Sequence, residues 1–216
     1  MSIFDFEPVL AGKIISVITI DRAEDAEPLA QALIDGGLDA LEITFRTEAA
    51  PEAIRRIKSA FPNAHLGAGT LLTCEQVKIA LNAGATFGLA PGLNSEVIRF
   101  AHEHRLGFIP GVMTPSEVEI ALSLGCHVQK FFPADIAGGV RMLKTLAAPY
   151  GHTGLKFIPL GGVTAATLAD YLGAPNVAAV GGSWIADRSL IKAGDWAGIT
   201  KLAREAVAIA KSVDIL

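Results

Sequence analysis

The sequence predicts one α/β domain folded as a closed (β/α)8 barrel, the TIM barrel. Eight short apolar or β-branched runs alternate with amphipathic helical patterns, and no low-complexity linker separates them. The 216 residues suit one core, and a hydrophobic share of 51% is enough to bury a parallel sheet on both faces. Closure of that sheet would remove its exposed edges. We therefore expect a single barrel domain over residues 1–216, with an N-terminal helix.

The predicted elements follow from the hydrophobic period, which is about two residues in a strand and about 3.6 in a helix. The strands are predicted at 14–19, 39–45, 64–70, 86–90, 106–111, 126–132, 155–160 and 177–181. The helices are predicted at 23–35, 49–60, 75–83, 95–105, 115–124, 140–148, 164–172 and 197–212. Each helix supplies the crossover connection that a pair of parallel strands needs.

An open, doubly wound sheet is the alternative, and it normally carries a glycine-rich phosphate loop after the first strand. Residues 19–22, where the first predicted strand ends, contain no glycine. The segment 67–70 resembles such a loop, but Leu72 stands where its third glycine belongs. The barrel is therefore the favoured architecture.

Composition and charge exclude several classes of partner. The formal net charge is −4 and no run of basic residues is present, so we expect no nucleic-acid partner. Cys74 and Cys126 are far apart and form no CxxC motif, which favours a reducing cytoplasm over a disulfide framework. The opening segment carries Asp5 and Glu7, and the apolar stretch 14–20 is too short to span a bilayer. We expect no signal peptide, no transmembrane helix and no membrane partner.

Two charged residues interrupt the second predicted strand. The period of two places Glu42 and Arg46 on one face and the apolar Leu41, Ile43 and Phe45 on the other. The apolar face should meet the helices, so we expect Glu42 and Arg46 to point into the barrel. Two interpretations stay open, because residues two apart on a strand can form a purely structural salt bridge and can also form part of a site.

Lys130 lies in the sixth predicted strand, directly before Phe131 and Phe132. Burial among such residues favours the neutral amine over the ammonium ion. A neutral amine can attack a ketone carbonyl and form an iminium ion. A structural ion pair with Glu42 or Asp135 is the alternative.

His127 and Gln129 do not fit this face assignment. They share the side of the strand opposite Lys130, which should pack against helices, and both are poor residues for that packing. A subunit interface and a hydrated lower end of the barrel are both consistent with them.

Consecutive glycines follow the last two predicted strands. Gly161 and Gly162 precede one predicted helix, and Gly182 and Ser183 precede a second helical start. Glycines let backbone amides approach an anion closely, and a helix N-terminus adds a favourable dipole. Barrels often bind phosphate at this position, so we predict a phosphate site there.

Other common chemistries lack their motifs. The five histidines show no HExxH spacing, and no serine lies in a GxSxG elbow. We therefore expect no metal, no other cofactor and no serine hydrolase activity.

Taken together, these segments resemble the family of 2-keto-3-deoxy-6-phosphogluconate (KDPG) aldolase, whose relatives also act on 4-hydroxy-2-oxoglutarate (KHG). The resemblance covers nearly the whole chain. The segments that carry it are LEITFRTE (41–48), GAGTLL (67–72), APGLNSE (90–96), IPGVMTPSE (109–117), KFFPAD (130–135), GGVT (161–164), GGSWI (181–185) and ITKLAREAV (199–207).

The resemblance implies a class I aldolase that cleaves KDPG to pyruvate and glyceraldehyde 3-phosphate, and in some relatives KHG to pyruvate and glyoxylate. It implies Lys130 as the Schiff-base lysine and Glu42 as the general acid and base. It further implies a homotrimer. The remaining implied substrate contacts are Arg46 and Thr70 at the carboxylate, Pro91 and Phe132 on the pocket wall, and Gly161, Gly162, Gly182 and Ser183 at the phosphate.

One residue departs from the family pattern. Leu160 stands where the phosphogluconate enzymes carry threonine before the first Gly-Gly pair. A galactonate-type aldolase is therefore an alternative. A barrel isomerase or epimerase that uses Glu42 as base is a second alternative, and a non-catalytic sugar-phosphate binding protein is a third.

Overall fold

The computed structural model describes residues 4–213, and within that range the chain forms nine parallel β-strands and ten α-helices. The strands are β1 (Ile14–Ile18), β2 (Ala40–Thr44), β3 (His65–Gly69), β4 (Phe87–Leu89), β5 (Gly107–Ile109), β6 (Gly111–Val112), β7 (Val128–Phe131), β8 (Lys156–Pro159) and β9 (Val180–Gly182). The helices are α1 (Glu7–Leu10), α2 (Ala26–Asp35), α3 (Ala50–Ala60), α4 (Cys74–Ala83), α5 (Ser95–Glu103), α6 (Pro115–Ser123), α7 (Gly139–Tyr150), α8 (Ala165–Leu172), α9 (Arg188–Ala193) and α10 (Trp196–Ser212).

The strands form two parallel sheets, and the predicted closed eight-stranded barrel is wrong. One sheet is a six-stranded half-barrel in the order β5-β4-β3-β2-β1-β9, and the other has three strands in the order β6-β7-β8. No continuous ladder joins them within the described chain. The ends of the predicted domain, residues 1–3 and 214–216, lie outside the described residues.

Each seam between the sheets divides one predicted strand. The predicted strand 106–111 is split at Pro110, which has no N–H to donate to a ladder. Ile109 before it pairs with Leu89, whereas Gly111 after it pairs with Lys130 of the second sheet.

The second seam divides the predicted strand 177–181. Val177 forms only an isolated bridge with Phe157 of β8. Further along, Val180 pairs with Ile14 of β1, so β9 belongs to the larger sheet. The two sheets therefore meet at this seam without a continuous ladder.

Two apolar clusters hold the layers together. The larger one packs the helices against the outer faces of the sheets, and it includes Leu41 and Ile43 of β2. The smaller one fills the space between the inner faces, where Ala40 of β2 meets Ile109 of β5 and Ile158 of β8. The alternation predicted for the second strand is therefore confirmed for its apolar residues.

The short helix α1 closes one end of the interior. Its Val9 and Leu10, with Phe6 before it, belong to the inner cluster. This is the end at which the strands begin, so the open end lies where they finish, and there the loops after the strands can hold functional side chains. Within residues 4–213, no helix is both long and apolar enough to cross a bilayer.

Candidate active site

The centre of the site is an ion pair between the two sheets. Lys130 lies on β7 of the small sheet and Glu42 on β2 of the large sheet, and the lysine Nζ is 3.4 Å from the glutamate Oε1. Both residues are buried, with exposed fractions of 2% and 0%. The sequence left Glu42 and Asp135 as possible partners of Lys130, and the structure shows the pair with Glu42. The Glu42 carboxylate faces Lys130 instead of forming a salt bridge with Arg46.

The second oxygen of Glu42 has no protein hydrogen-bond partner. Its Oε2 is buried and is one of four buried side-chain oxygens without a partner among the described residues. Such an atom costs about 1–3 kcal/mol when nothing satisfies it. Because Oε1 is held by the lysine, Oε2 is the atom that can exchange a proton with a bound molecule.

Two glycines make room for the pair. A side chain at Gly69, at the end of β3, would overlap the Glu42 carboxylate, with the Cγ atom only 2.7 Å from a new Cβ. A side chain at Gly111, which pairs with Lys130, would overlap the backbone of Pro91. The structure therefore places Pro91 against the strand that neighbours Lys130.

Phe132 forms the wall beside the amine. Its ring centroid is 5.5 Å from the Lys130 Nζ, within the range of a cation–π contact. The ring also lies against Gly161, because a Cβ there would be 3.1 Å from the Phe132 Cε2. Phe132 thus links the lysine to the first glycine loop.

Arg46 and Thr70 lie side by side at the open end. Arg46 lies in a turn beyond β2, and its Nε donates to the Thr70 Oγ1 at 3.2 Å. Thr70 has a φ of 60°, which is rare for a β-branched residue and costs about 1–3 kcal/mol. Among the described residues no carboxylate pairs with Arg46. Its guanidinium therefore has N–H groups available for an anion.

The first glycine loop has a left-handed backbone. Gly161 and Gly162 have φ values of 88° and 85°, in the left-handed region that favours glycine. Gly182 ends β9, and the exposed Ser183 follows it. Ser183 and Arg46 line one cavity of about 320 Å³.

The sequence analysis did not predict two residues at or beside this cavity, Arg188 and Asp21. Arg188 lines the cavity, and its guanidinium is held by the carboxylate of Asp21. The pairing spans 167 positions along the chain, so no local pattern indicates it. The only local signal is a charged residue shortly after the GGSWI segment.

Gln129, one of the two residues that did not fit the face assignment, has a structural role. The Gln129 side chain is buried and donates from Nε2 to the carbonyl oxygens of Cys126 and Val118, at 2.9 and 3.3 Å. It therefore contacts neither solvent nor a subunit interface. His127 lines a separate cavity of about 440 Å³ at the end where the strands begin.

Cys126 is not a reactive thiol, and the part of the chain that the structure describes contains no cluster of metal ligands. Burial raises the pKa of the Cys126 thiol to about 12, so this group stays protonated at neutral pH. No group of three or more His, Cys, Asp or Glu residues between positions 4 and 213 could hold a metal ion. Lys130 is the best placed nucleophile of the described residues.

A buried amine beside a carboxylate, at the open end of a parallel α/β fold, defines an enzyme site. The chain matches the family described as "Aldolase: KDPG and KHG aldolase" over residues 7–202. It is 43% identical over 199 residues to the 2-dehydro-3-deoxy-phosphogluconate aldolase of Haemophilus influenzae, covering 92% of this chain and 93% of the relative. It is 42% identical over 200 residues to the KHG/KDPG aldolase of Escherichia coli, with 93% of each chain covered.

Comparison with solved structures also indicates a KDPG aldolase fold. The KDPG aldolase of Legionella pneumophila, captured with pyruvate as a covalent carbinolamine intermediate, superposes with a TM-score of 0.90. It is 39% identical, and the match covers 94% of this chain and 98% of that one. The chain is therefore an aldolase, a carbon–carbon lyase. It belongs to the KDPG and KHG aldolase family.

The contact between Gly69 and Glu42 can be tested by stability. We expect Gly69→Ala to lower the free energy of unfolding by about 1–3 kcal/mol, because the new methyl group overlaps a carboxylate that has no room to move. Gly151→Ala is the matched control, since no atom lies within 4 Å of a Cβ at that helical position. Urea unfolding of both variants measures the difference. Equal stability would contradict the tight packing described here.

Proposed function

We propose that this protein is a class I aldolase that cleaves KDPG to pyruvate and glyceraldehyde 3-phosphate through a Schiff base on Lys130. The observation that carries the proposal is the buried Lys130 amine, 3.4 Å from the Glu42 carboxylate. A lysine amine attacks a carbonyl as its free base, so it must first give up a proton. The adjacent carboxylate can accept and return the protons that imine chemistry moves.

The reaction begins at the keto carbon, C2. The Lys130 amine adds to it, and loss of water gives a protonated imine. This cation accepts the electron pair of the C3–C4 bond as that bond breaks, while the C4 hydroxyl loses its proton and leaves as the aldehyde. Protonation of the resulting enamine at C3 and hydrolysis of the imine release pyruvate and regenerate the free amine.

Glu42 is the general acid and base of this scheme. Its Oε1 contacts the amine, and its unpartnered Oε2 is free to take the C4 hydroxyl proton. The same carboxyl group can then return a proton during enamine protonation and imine hydrolysis. Because both oxygens are buried, bulk water does not compete for these protons.

Arg46 and Thr70 are proposed to hold the carboxylate next to the keto carbon. A guanidinium binds a carboxylate through two parallel hydrogen bonds, which fixes its orientation. The hydrogen bond from Arg46 to Thr70 and the absence of a carboxylate partner within residues 4–213 leave the other N–H groups for the substrate. Pro91 and Phe132 are proposed as the apolar walls of the same pocket.

Gly161, Gly162, Gly182 and Ser183 are proposed to bind the phosphate. The first two glycines have left-handed φ values and carry no side chain that would block an approaching phosphate. Ser183 is exposed at the cavity that also contains Arg46, and its hydroxyl can donate to a phosphate oxygen.

Similarity supports the gluconate epimer over the galactonate epimer. Relatives named for phosphogluconate are up to 44% identical over 94% of this chain, whereas a structure described as native KDPGal is 31% identical with a TM-score of 0.77. Leu160 is 5% exposed, belongs to the inner cluster and lies against Gly181, where any side chain would overlap it. The departure from threonine is therefore accommodated by packing.

Borohydride trapping tests the imine. With pyruvate present, reduction is expected to attach the pyruvate carbons irreversibly to Lys130, and peptide mass spectrometry locates the adduct. Lys130→Met should give no adduct. Lys156→Met, which removes an exposed lysine from the neighbouring β8, should trap as the unaltered protein does. Absence of an adduct in the unaltered protein, with isomerase activity in its place, would overturn the mechanism.

A comparison of substrates tests the specificity. We expect kcat/KM for the phosphogluconate compound to exceed that for its galactonate epimer and for 4-hydroxy-2-oxoglutarate by about tenfold or more, because each alternative loses contacts made to the first. Pyruvate release, coupled to lactate dehydrogenase, gives all three rates. Higher kcat/KM for the galactonate compound would reverse the assignment.

The assembly is proposed to be a cytoplasmic homotrimer, as the family resemblance implies. Three exposed apolar side chains follow the ends of β3, β6 and β7, and they supply contact area for a second copy: Leu72, Met113 and Ile136, exposed by 52%, 41% and 87%. Sedimentation equilibrium of the purified protein measures its mass in solution, and a stable monomer at micromolar concentration would contradict this proposal.

A further inference from the structure

Arg188 and Asp21 form a two-point contact beside the cavity of about 320 Å³. Arg188 is the first residue of α9, and Asp21 lies in the loop after β1. The Arg188 Nε donates to the Asp21 Oδ2 at 2.6 Å, and its Nη2 contacts the other carboxylate oxygen. The contact holds the guanidinium at the open end of two neighbouring strands, β1 and β9.

The contact leaves much of the guanidinium free. An arginine has five N–H donors in a planar fork, and Asp21 occupies only one edge of it. The Arg188 side chain remains 62% exposed. The donors of Nη1 are therefore available to a second anion, at a guanidinium whose plane is already fixed.

The surroundings of Arg188 favour an anionic ligand. Arg46 and Ser183 line the same cavity, so two guanidinium groups and a hydroxyl meet there. The one carboxylate that lines this cavity, that of Asp187, accepts hydrogen bonds from the Ser189 backbone N–H and hydroxyl as the cap of α9. Asp21 pairs with Arg188, and the ionised Asp187 is directed at Ser189, so no carboxylate among the described residues pairs with Arg46.

We propose that Arg188 is a specificity-determining residue that binds the anionic group at the end of the substrate remote from the keto carbon. Asp21 is the positioning residue that presents its guanidinium. This inference rests on the proposed function, since Ser183 is the phosphate ligand there and Arg188 lies five positions further along the chain. The shared chemistry is an oxyanion, either the phosphate of KDPG or the second carboxylate of KHG.

The ion pair between Arg188 and Asp21 contributes little to folding stability. A role in binding can therefore be tested by removing it. Exposed ion pairs contribute little to stability because solvent screens them. The hydrogen bond from Arg188 lowers the pKa of Asp21, so the carboxylate stays ionised at neutral pH and the contact persists. A purely structural pair would leave substrate affinity unchanged when it is removed.

The experiment compares Arg188→Ala, Arg188→Lys and Asp21→Asn with the unaltered protein. For KDPG we expect KM to rise about tenfold or more in Arg188→Ala, because a charge-assisted contact is lost, and to rise less in the other two variants. The kcat should change much less. Arg22→Ala is the matched control, since Arg22 is an exposed arginine next to Asp21 that does not line the cavity, and its KM should stay unchanged.

Pyruvate, KHG and unphosphorylated 2-keto-3-deoxygluconate separate the possible outcomes. Pyruvate has no remote anion, so borohydride trapping at Lys130 should proceed equally in all variants. If Arg188→Ala raises KM for KDPG but not for the unphosphorylated compound, the phosphate is the ligand. If Arg188→Ala also raises KM for KHG, the second carboxylate of KHG is a ligand as well. An unchanged KM for KDPG in an Arg188→Ala protein that still traps pyruvate overturns this inference alone, whereas failure of the unaltered protein to trap pyruvate overturns the proposed function.

Discussion

The ion pair between Lys130 and Glu42 is the interaction on which the rest of the site depends. Two charged groups buried to 2% and 0% exposure lose their hydration, and attraction across 3.4 Å recovers that loss only with good geometry. An apolar pair of the same volume could fill the space at least as well. A contribution to folding stability therefore does not explain the pair, whereas the proposed proton transfer to and from the Lys130 amine does.

The fold supplies the geometry of that pair by joining two sheets. Glu42 comes from the six-stranded half-barrel and Lys130 from the three-stranded sheet, and one apolar cluster fills the space between them. Pro110 separates β5 from β6, and its carbonyl oxygen accepts a hydrogen bond from the Lys130 N–H. Gly111 after it lets Pro91 approach. The absence of a side chain at Gly69 and at Gly111 is therefore as necessary to the site as the charged groups are.

Two arginines at the open end are proposed to bind the two anionic ends of the substrate. Arg46 is held by the hydroxyl of Thr70, and Arg188 is held by the carboxylate of Asp21. Each guanidinium keeps free donors while its orientation is fixed, so a bound anion does not have to order a mobile side chain. The buried pair of Lys130 and Glu42 lies in the interior, and the two exposed guanidinium groups lie at the rim, where a charged substrate can enter.

The sequence by itself determined the alternation of strands and helices, the apolar face of β2, the position of consecutive glycines after a strand at Gly161 and Gly162, and the family to which the chain belongs. These features follow from local periodicity and short motifs, which a linear reading contains. Only the tertiary structure decided that Lys130 pairs with Glu42 and not Asp135, that the sheet is divided at Pro110 and after Val177, and that Asp21 holds Arg188. These contacts join residues 88 and 167 positions apart or depend on which ladder a strand end enters, and nothing in a local pattern encodes the distance between such groups.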